Sequence, residues 1–243
     1  MNLYPVVILA GGLATRLHPI TEKIPKSLVV VGKQPFINQQ LRLLYSRGIR
    51  LVIISAWYLG EMIRESVGDG KQFGLTIKYV FDGENPLGTG GAVRQALNLL
   101  DGPFFVLYGD SYLPCNYADV QADFDHHTQP ALMTIFRNEG KWDTSNVEMA
   151  DGQILCYDKK KRTPSMEFID YGLGLFQPAV FASLADHQPA DLAEIYQNLA
   201  ANHDLSAYEV RQRFYEIGSF EGLHELDGLL SSDPDQFLRE EMP

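Results

Sequence analysis

Cysteine is scarce: Cys115 and Cys156 are the two in 243 residues, and neither stands in a C-x-x-C or Cys/His ligand spacing. That excludes a disulfide framework and a cysteine-based metal site, and both thiols read as reduced residues of a cytosolic protein. Positive charge is short as well. Twenty Lys and Arg face 31 Asp and Glu, a formal net charge of -11. A general nucleic-acid binder needs a basic face, so no nucleic-acid partner is expected. A phosphorylated small molecule is not excluded, because a few convergent cations in a cleft suffice to hold it. No apolar run approaches the roughly 20 residues that span a bilayer, so no membrane partner is expected. The opening residues, MNLYPVVILAGG, lack a basic leader and read as a first strand rather than a signal peptide. The expected location is the cytoplasm.

Hydrophobic residues make up 45% of the chain and charged residues 21%, an ordinary globular balance. In the first half, apolar runs at Val6 to Ala10, Leu51 to Ser55, Leu75 to Phe81 and Pro103 to Tyr108 read as strands. Helical signals separate them at 35–48, near 58–67 and at 89–100, and Pro35 and Gly48 punctuate the first of these. That alternation predicts an α/β fold with a mixed, mostly parallel central sheet and helices on both faces. The second half predicts strands at 131–136, 146–149, 154–157, 168–176 and 208–217, with a hairpin at Asp151-Gly152. Helices are expected at 190–202 and 221–230. No repeat or long linker divides the chain, so residues 1–243 are expected to form one domain, with a nucleotide-binding half (1–125) and an antiparallel half (126–243) closing a cleft.

Gly11-Gly12-Leu13-Ala14-Thr15-Arg16 follows the first strand directly. Ligands of open α/β sheets bind at the carboxyl ends of the strands, and glycines there let backbone N–H groups approach phosphate oxygens. The loop is neither a Walker A nor a dinucleotide G-x-G-x-x-G motif, and a glycine pair alone suits a tight turn equally well. Arg16 and Lys26 add a planar fork and a point charge, both suited to phosphate. Leu87-Gly88-Thr89-Gly90-Gly91-Ala92 lies between a strand and a helix, where small residues would let a flat base or ribose lie on the backbone. Asp110 ends a buried strand, a place from which a carboxylate can reach a cleft and a Mg²⁺ ion, although a lone Asp in such a turn is more often structural.

Residues 9–37, LAGGLATRLHPITEKIPKSLVVVGKQPFI, resemble the signature of the sugar-nucleotide pyrophosphorylase family, roughly LAGGxGTRLxPxTxxxPKxLxxVxxxPxI. The resemblance implies a Rossmann-like, three-layer nucleotide-diphospho-sugar transferase fold. It also implies an enzyme that joins a nucleoside monophosphate from an NTP to a sugar-1-phosphate and releases pyrophosphate, with Mg²⁺ as cofactor. By the matched positions, Leu9, Ala10, Gly11, Gly12 and Thr15 would line the nucleotide together with Gly88, Thr89 and Gly90. Arg16 would clamp the β- and γ-phosphates, and Lys26 would contact the phosphate near the reacting centre. Asp110 matches the Gly-Asp metal position. Glu216, in FYEIGS, stands where the family's W-x-D-x-G-T segment has its second metal aspartate. Lys159, in YDKK, resembles the lysine that receives the sugar phosphate. Asn146, Glu167, Asp170 and Gly172 match sugar-facing segments, although strand alternation keeps Glu167 and Asp170 from sharing a face. Ala14 departs from the family's usual glycine, and the loop is expected to stay intact with a negative φ there.

The chain resembles most the compact guanylyl- and uridylyltransferases of heptose-, mannose- or N-acetylmuramic acid-1-phosphate, and the LGTGGA form leans toward the heptose or mannose guanylyltransferases. Two other readings share the fold: a regulatory subunit that binds nucleotide sugars without turnover, and a cytidylyltransferase acting on a phosphate such as phosphocholine. A monomer and a homo-oligomer are both compatible with the sequence.

Overall fold

A computed structural model describes residues 2–142 and 144–239. The first half runs β1 (Val6–Leu9), a short hairpin of β2 (Val30–Val31) and β3 (Gln34–Pro35), α1 (Phe36–Ser46), β4 (Leu51–Ala56) and α2 (Gly60–Val67). It continues through β5 (Thr76–Phe81), α3 (Gly88–Ala96), β6 (Phe104–Tyr108), β7 (Ser111–Tyr112) and α4 (Tyr117–His126). The second half supplies β8 (Ala131–Arg137), β9 (Val147–Ala150), β10 (Gln153–Tyr157), β11 (Phe168–Phe176), α5 (Leu192–Ala201), β12 (Leu205–Glu209), β13 (Tyr215–Glu216) and α6 (Phe220–Ser232).

Nine strands form one mixed sheet in the order β5-β4-β1-β6-β11-β8-β12-β10-β9. The run β5-β4-β1-β6 is parallel throughout. β11 joins it antiparallel to β6 and pairs antiparallel with β8, while β12 returns parallel to β8. β10 and β9 close the far edge antiparallel. Parallel pairing is thus concentrated in the first half, where helical crossovers separate the strands.

Alternation along β1 places Val6 and Ile8 in one core with Ile37, Leu41 and Leu44 of α1, and Val7 in another with Val93 and Ala96 of α3. Both faces of these strands are buried, which is why they read as continuous apolar runs. A third core joins distant segments: Leu17, Val31 and Phe36 pack with Tyr112, Ile217 and Leu223, Leu226 and Leu230 of α6. Gly32 permits the closest approach, since a Cβ there would stand 2.6 Å from the Cβ of Leu230. This third core sets α6 and the preceding β13 against the loop after β1.

Two expectations need correction. Residues 208–217 do not form one strand. β12 stays in the main sheet, whereas β13 pairs with β7 in a separate ribbon. The long polar side chains at 211–213 interrupt the strand, and Arg213 is drawn to Glu225 of α6 and lies over the Trp142 ring at 3.7 Å. The second is α4, which was not expected. Asn116 caps it by accepting from the Ala118 and Asp119 amides, and Tyr117, Val120 and Phe124 face the core at helical spacing. Both cysteines are free, and burial pushes the Cys115 thiol up to about 12, so it is inert as a nucleophile. Among the described residues no helix is long and apolar enough to cross a membrane.

Candidate active site

The carboxyl ends of β4, β1 and β6 open into a cleft of about 410 Å³. One wall is the turn after β1: Leu9, Ala10, Gly11 and Gly12 all line it. Gly11 packs on Trp57, where a Cβ would meet the Trp57 Cβ at 3.3 Å. At Gly12 an added Cβ would meet no described protein atom within 4 Å. Glycine at 12 therefore answers to no protein neighbour in this structure, and the side of the loop it leaves bare faces open space.

Ala14 has φ 51 and ψ 41, so the expected negative φ is wrong. Its carbonyl accepts from the Leu17 amide at 3.1 Å and from Thr21 Oγ1 at 2.8 Å. An L-residue with a Cβ is strained there by about 1–2 kcal/mol. Ala14→Gly should therefore raise stability by about 1 kcal/mol, or a melting temperature by about 2–4 °C for a chain of this size. Calorimetry of the two proteins checks it, and an unchanged or lower melting temperature rejects the strain.

Gly88 and Thr89, at the start of α3, form the facing wall. The glycines of this segment also let a distant segment dock on α3. The Gly90 and Gly91 amides both donate to Ala190 O, at 2.8 and 3.3 Å. A Cβ on Gly88 would stand 2.6 Å from Ala190 O, and one on Gly91 2.6 Å from Gln188 O. They let the 188–190 segment dock on α3, and Thr89 Oγ1 completes the joint by accepting from the Leu192 amide at 2.8 Å. Gly90 and Thr15 do not line the cleft.

Lys26, Asp110 and Tyr108 line the cleft as well. Lys26 Nζ donates to Asp110 Oδ2 at 2.9 Å. β13 runs beside β7, with Glu216 opposite Ser111 and the Ile217 amide donating to Asp110 O at 2.9 Å. Gly218 marks where the charges meet. A Cβ built there would lie 2.7 Å from Glu216 Oε2 and 3.2 Å from both Asp110 Oδ2 and Arg16 Nη2. The two carboxylate oxygens can be no farther apart than the sum of their distances to that point. Arg16 does not line the cleft itself, but its guanidinium reaches the same spot as Asp110 and Glu216. Glu216 is held by its own turn: Oε2 accepts from the Gly218 and Ser219 amides and Oε1 from Ser219 Oγ at 2.5 Å. Gly222 leaves room for this longer side chain, since a Cβ on it would overlap Glu216 Oε1 at 2.0 Å.

A second cluster adjoins the first. Asp170, with 5% of its side chain exposed, accepts from Tyr157 Oη at 3.1 Å and from the Gly172 amide at 3.0 Å, and Lys159 Nζ stands 4.0 Å away. Burial, with the Asp170 charge added, pushes the Tyr157 hydroxyl well above the ordinary phenol range, so it remains a donor. Lys159 also lies over the Tyr108 ring at 5.2 Å, which joins this cluster to the cleft. Asn146 Oδ1 accepts from the Asp170 amide at 2.9 Å and fixes the strand. Gly172, at φ 100, brings β11 against Ser111, where a Cβ would stand 3.3 Å from the hydroxyl oxygen. Glu167 is separate: it is exposed and paired with Arg137 at 2.8 Å.

The profile of the nucleotidyl transferase family matches residues 5–231 of this architecture. The chain belongs to the nucleotidyl transferase family. Over 213 residues it is 39% identical to the D-glycero-alpha-D-manno-heptose 1-phosphate guanylyltransferase of Campylobacter jejuni, covering 87% of this chain and 93% of that one. Over 218 residues it is 29% identical to mannose-1-phosphate guanyltransferase beta-A of Xenopus laevis. That match covers 87% of this chain but 60% of the frog protein, so the chain spans well under two thirds of that relative. The crystal structure of HddC from Yersinia pseudotuberculosis complexed with GMP-PN superposes with a TM-score of 0.78 at 22% identity, covering 94% of this chain and all of that one. At that identity it attests the nucleotidyl transferase fold.

Sequence reasoning overlooked Trp57, Asp82 and Tyr108 as cleft residues. Each stands at or just past the carboxyl end of a parallel strand, and that position was the available signal. Asp82 is 9% exposed, accepts from the Leu87 amide at 2.8 Å, and has its pKa raised by burial.

Proposed function

We propose that this nucleotidyl transferase family member is an enzyme that transfers a guanylyl group from GTP to a heptose- or mannose-type sugar-1-phosphate, releasing pyrophosphate. The observation that carries the reading is the convergence of Arg16, Asp110 and Glu216 on one point at the cleft, with Lys26 bonded to Asp110. The 39% identity to a heptose 1-phosphate guanylyltransferase over nearly its whole length favours that base and sugar class.

A sugar-1-phosphate is already an anionic nucleophile, so no general base is required. Its oxygen attacks the α-phosphorus in line, a new P–O bond forms, and the bond to the leaving pyrophosphate breaks. Catalysis is then positioning and charge neutralisation. The glycine turn after β1 and the start of α3 hold the nucleoside and phosphates between them. Arg16 neutralises the outer phosphates. Lys159, steadied by Asp170 and the faces of Tyr108 and Tyr157, receives the sugar phosphate against the repulsion of the triphosphate. Asn146 and Gly172 shape the sugar side.

The donor set fits Mg²⁺. That ion takes one or two carboxylates plus substrate phosphates, and Asp110 and Glu216 present two oxygens to one locus. Magnesium bound there would screen the charge of the triphosphate and its leaving group. Asp110 would exchange its bond to Lys26 for the ion, whereas Glu216 would exchange hydrogen bonds from its own turn or meet the ion through water.

We infer the finer architecture from the same observations. A Rossmann-like, three-layer arrangement is supported by α1, α2 and α4 contributing to one core and α3 and α5 to the other. One domain, with halves 1–125 and 126–243, is supported by the pairing of β6 with β11. NTPs and sugar phosphates are cytoplasmic metabolites, and we place the reaction there.

Pyrophosphate release from four NTPs crossed with several sugar-1-phosphates tests the proposal. GTP with a heptose- or mannose-1-phosphate should give the fastest release, and silence with every acceptor, alongside intact NTP binding, rejects it. A further expected result concerns Lys159→Ala. It should raise KM for the sugar phosphate by on the order of tenfold or more, as loss of a charge-assisted contact does, and leave KM for the NTP within about twofold. Unchanged acceptor kinetics would make Lys159 a solvated surface cation.

A further inference from the structure

Lys26 is unusual among the cations of the site. Its side chain is 15% exposed, and its ammonium lies 2.9 Å from Asp110 Oδ2, the one ion pair it makes among the described residues. A largely buried ammonium is stable only beside an anion, and a carboxylate so engaged has a cation already in place. Glu216 is engaged too, by the Gly218 and Ser219 amides and the Ser219 hydroxyl. Both carboxylates suited to a divalent ion therefore have internal partners in the protein without substrate.

We propose that Lys26 is the resident counter-ion of Asp110, and that it withholds this carboxylate from a divalent cation until a triphosphate draws the ammonium away. This rests on the reading of Asp110 as a metal ligand. The local charges are balanced, with Arg16 and Lys26 against Asp110 and Glu216. A divalent ion entering alone leaves an excess of positive charge and must take Asp110 from an ammonium in contact with it. A triphosphate entering alone leaves an excess of negative charge. Arriving together, the ion offsets part of the triphosphate charge, and Lys26, drawn by the remainder, can move from Asp110 to a phosphate oxygen. Lys26 thus ties occupancy of the metal position to occupancy of the nucleotide position, and the free protein has low metal affinity.

Mn²⁺ binding to the full chain tests this without turnover. Titration of metal-free protein with Mn²⁺ alone, no nucleotide present, is read by the paramagnetic resonance signal of the free ion. Lys26→Met is expected to bind Mn²⁺ at least about tenfold more tightly than the native protein, the lower end of what one screened unit charge contributes at this range. Lys26→Gln, which keeps a donor but no charge, should also tighten binding, and thermal unfolding verifies that each variant is folded. Asp110→Asn should abolish the gain when combined with either. Native-like or weaker Mn²⁺ affinity in the folded Lys26 variants, with Mn²⁺ still sensitive to Asp110→Asn, overturns the counter-ion role alone. Mn²⁺ binding that ignores Asp110→Asn in every background overturns the metal assignment and this inference with it.

Discussion

Asp110→Asn is expected to lower turnover by on the order of 10³ or more in a protein that still folds, although it melts lower because Lys26 loses its counter-ion. The amide is nearly isosteric but carries no charge, so it can neither hold a divalent ion tightly nor pair with Lys26 at 2.9 Å. Several kcal/mol of transition-state stabilisation depend on that charge, and each 1.36 kcal/mol corresponds to a tenfold rate change. The fold tolerates the change because Asp110 holds β13 through its backbone carbonyl, which accepts from the Ile217 amide, and that bond survives. Single-turnover pyrophosphate release with saturating substrates is the measurement. A loss smaller than tenfold would remove Asp110 from the reacting centre. At Glu216 the expected order is that Glu216→Asp is milder than Glu216→Gln, because aspartate keeps the charge at the β13 position.

Arg16→Ala is expected to lower kcat/KM for the NTP by a factor of about 10² to 10³, comparable to loss of a charge-stabilising donor in other active sites. The guanidinium reaches the Gly218 locus shared with Asp110 and Glu216, where the leaving phosphates are proposed to gather charge. Arg16→Lys should recover only part of the loss, since an ammonium lacks the planar fork that grips two phosphate oxygens. If Arg16→Ala weakened NTP binding without lowering kcat, the contact would be equal in the ground and transition states. Stability should hardly change, because Arg16 is exposed and the turn is anchored by Leu17, which is fully buried.

Much of this was legible in the sequence because it depends on local physics. Continuous β-branched and aromatic runs at 6–10, 51–55 and 103–108 could only be strands buried on both faces, and β1, β4 and β6 are that. The Asp151-Gly152 hairpin holds for the same reason: both residues adopt positive φ, at 50° and 75°, as a tight two-residue connection requires. The misses have local causes as well. The α4 pattern was overlooked although Tyr117, Val120, Gln121 and Phe124 recur at helical spacing and an N-cap asparagine precedes them. The left-handed Ala14 could not be read from residue type, because alanine has no preference for that region.

By itself the sequence determined the longer strands and most of the helices, but not α4, the short strands β2, β3 and β7, or the break between β12 and β13. It also determined the turn after β1 and the residue types able to meet phosphate, sugar and metal. Only the tertiary structure decided which of them meet. Asp110 and Glu216 come together because α6 packs on the β2–β3 hairpin through Leu223, Leu226 and Leu230, and this carries β13 to the edge of β7. Glu167 and Asp170 part because β11 begins between them, leaving one exposed to Arg137 and the other buried beneath Lys159. Gly90 serves the docking of residues 188–190 because Ala190, from a distant part of the chain, approaches so closely that a Cβ at Gly90 would stand 3.1 Å from the Ala190 Cβ. Periodicity and turn chemistry act over a few residues and can be read along the chain. Packing between segments a hundred or more residues apart depends on how whole surfaces fit, and no local pattern encodes that fit.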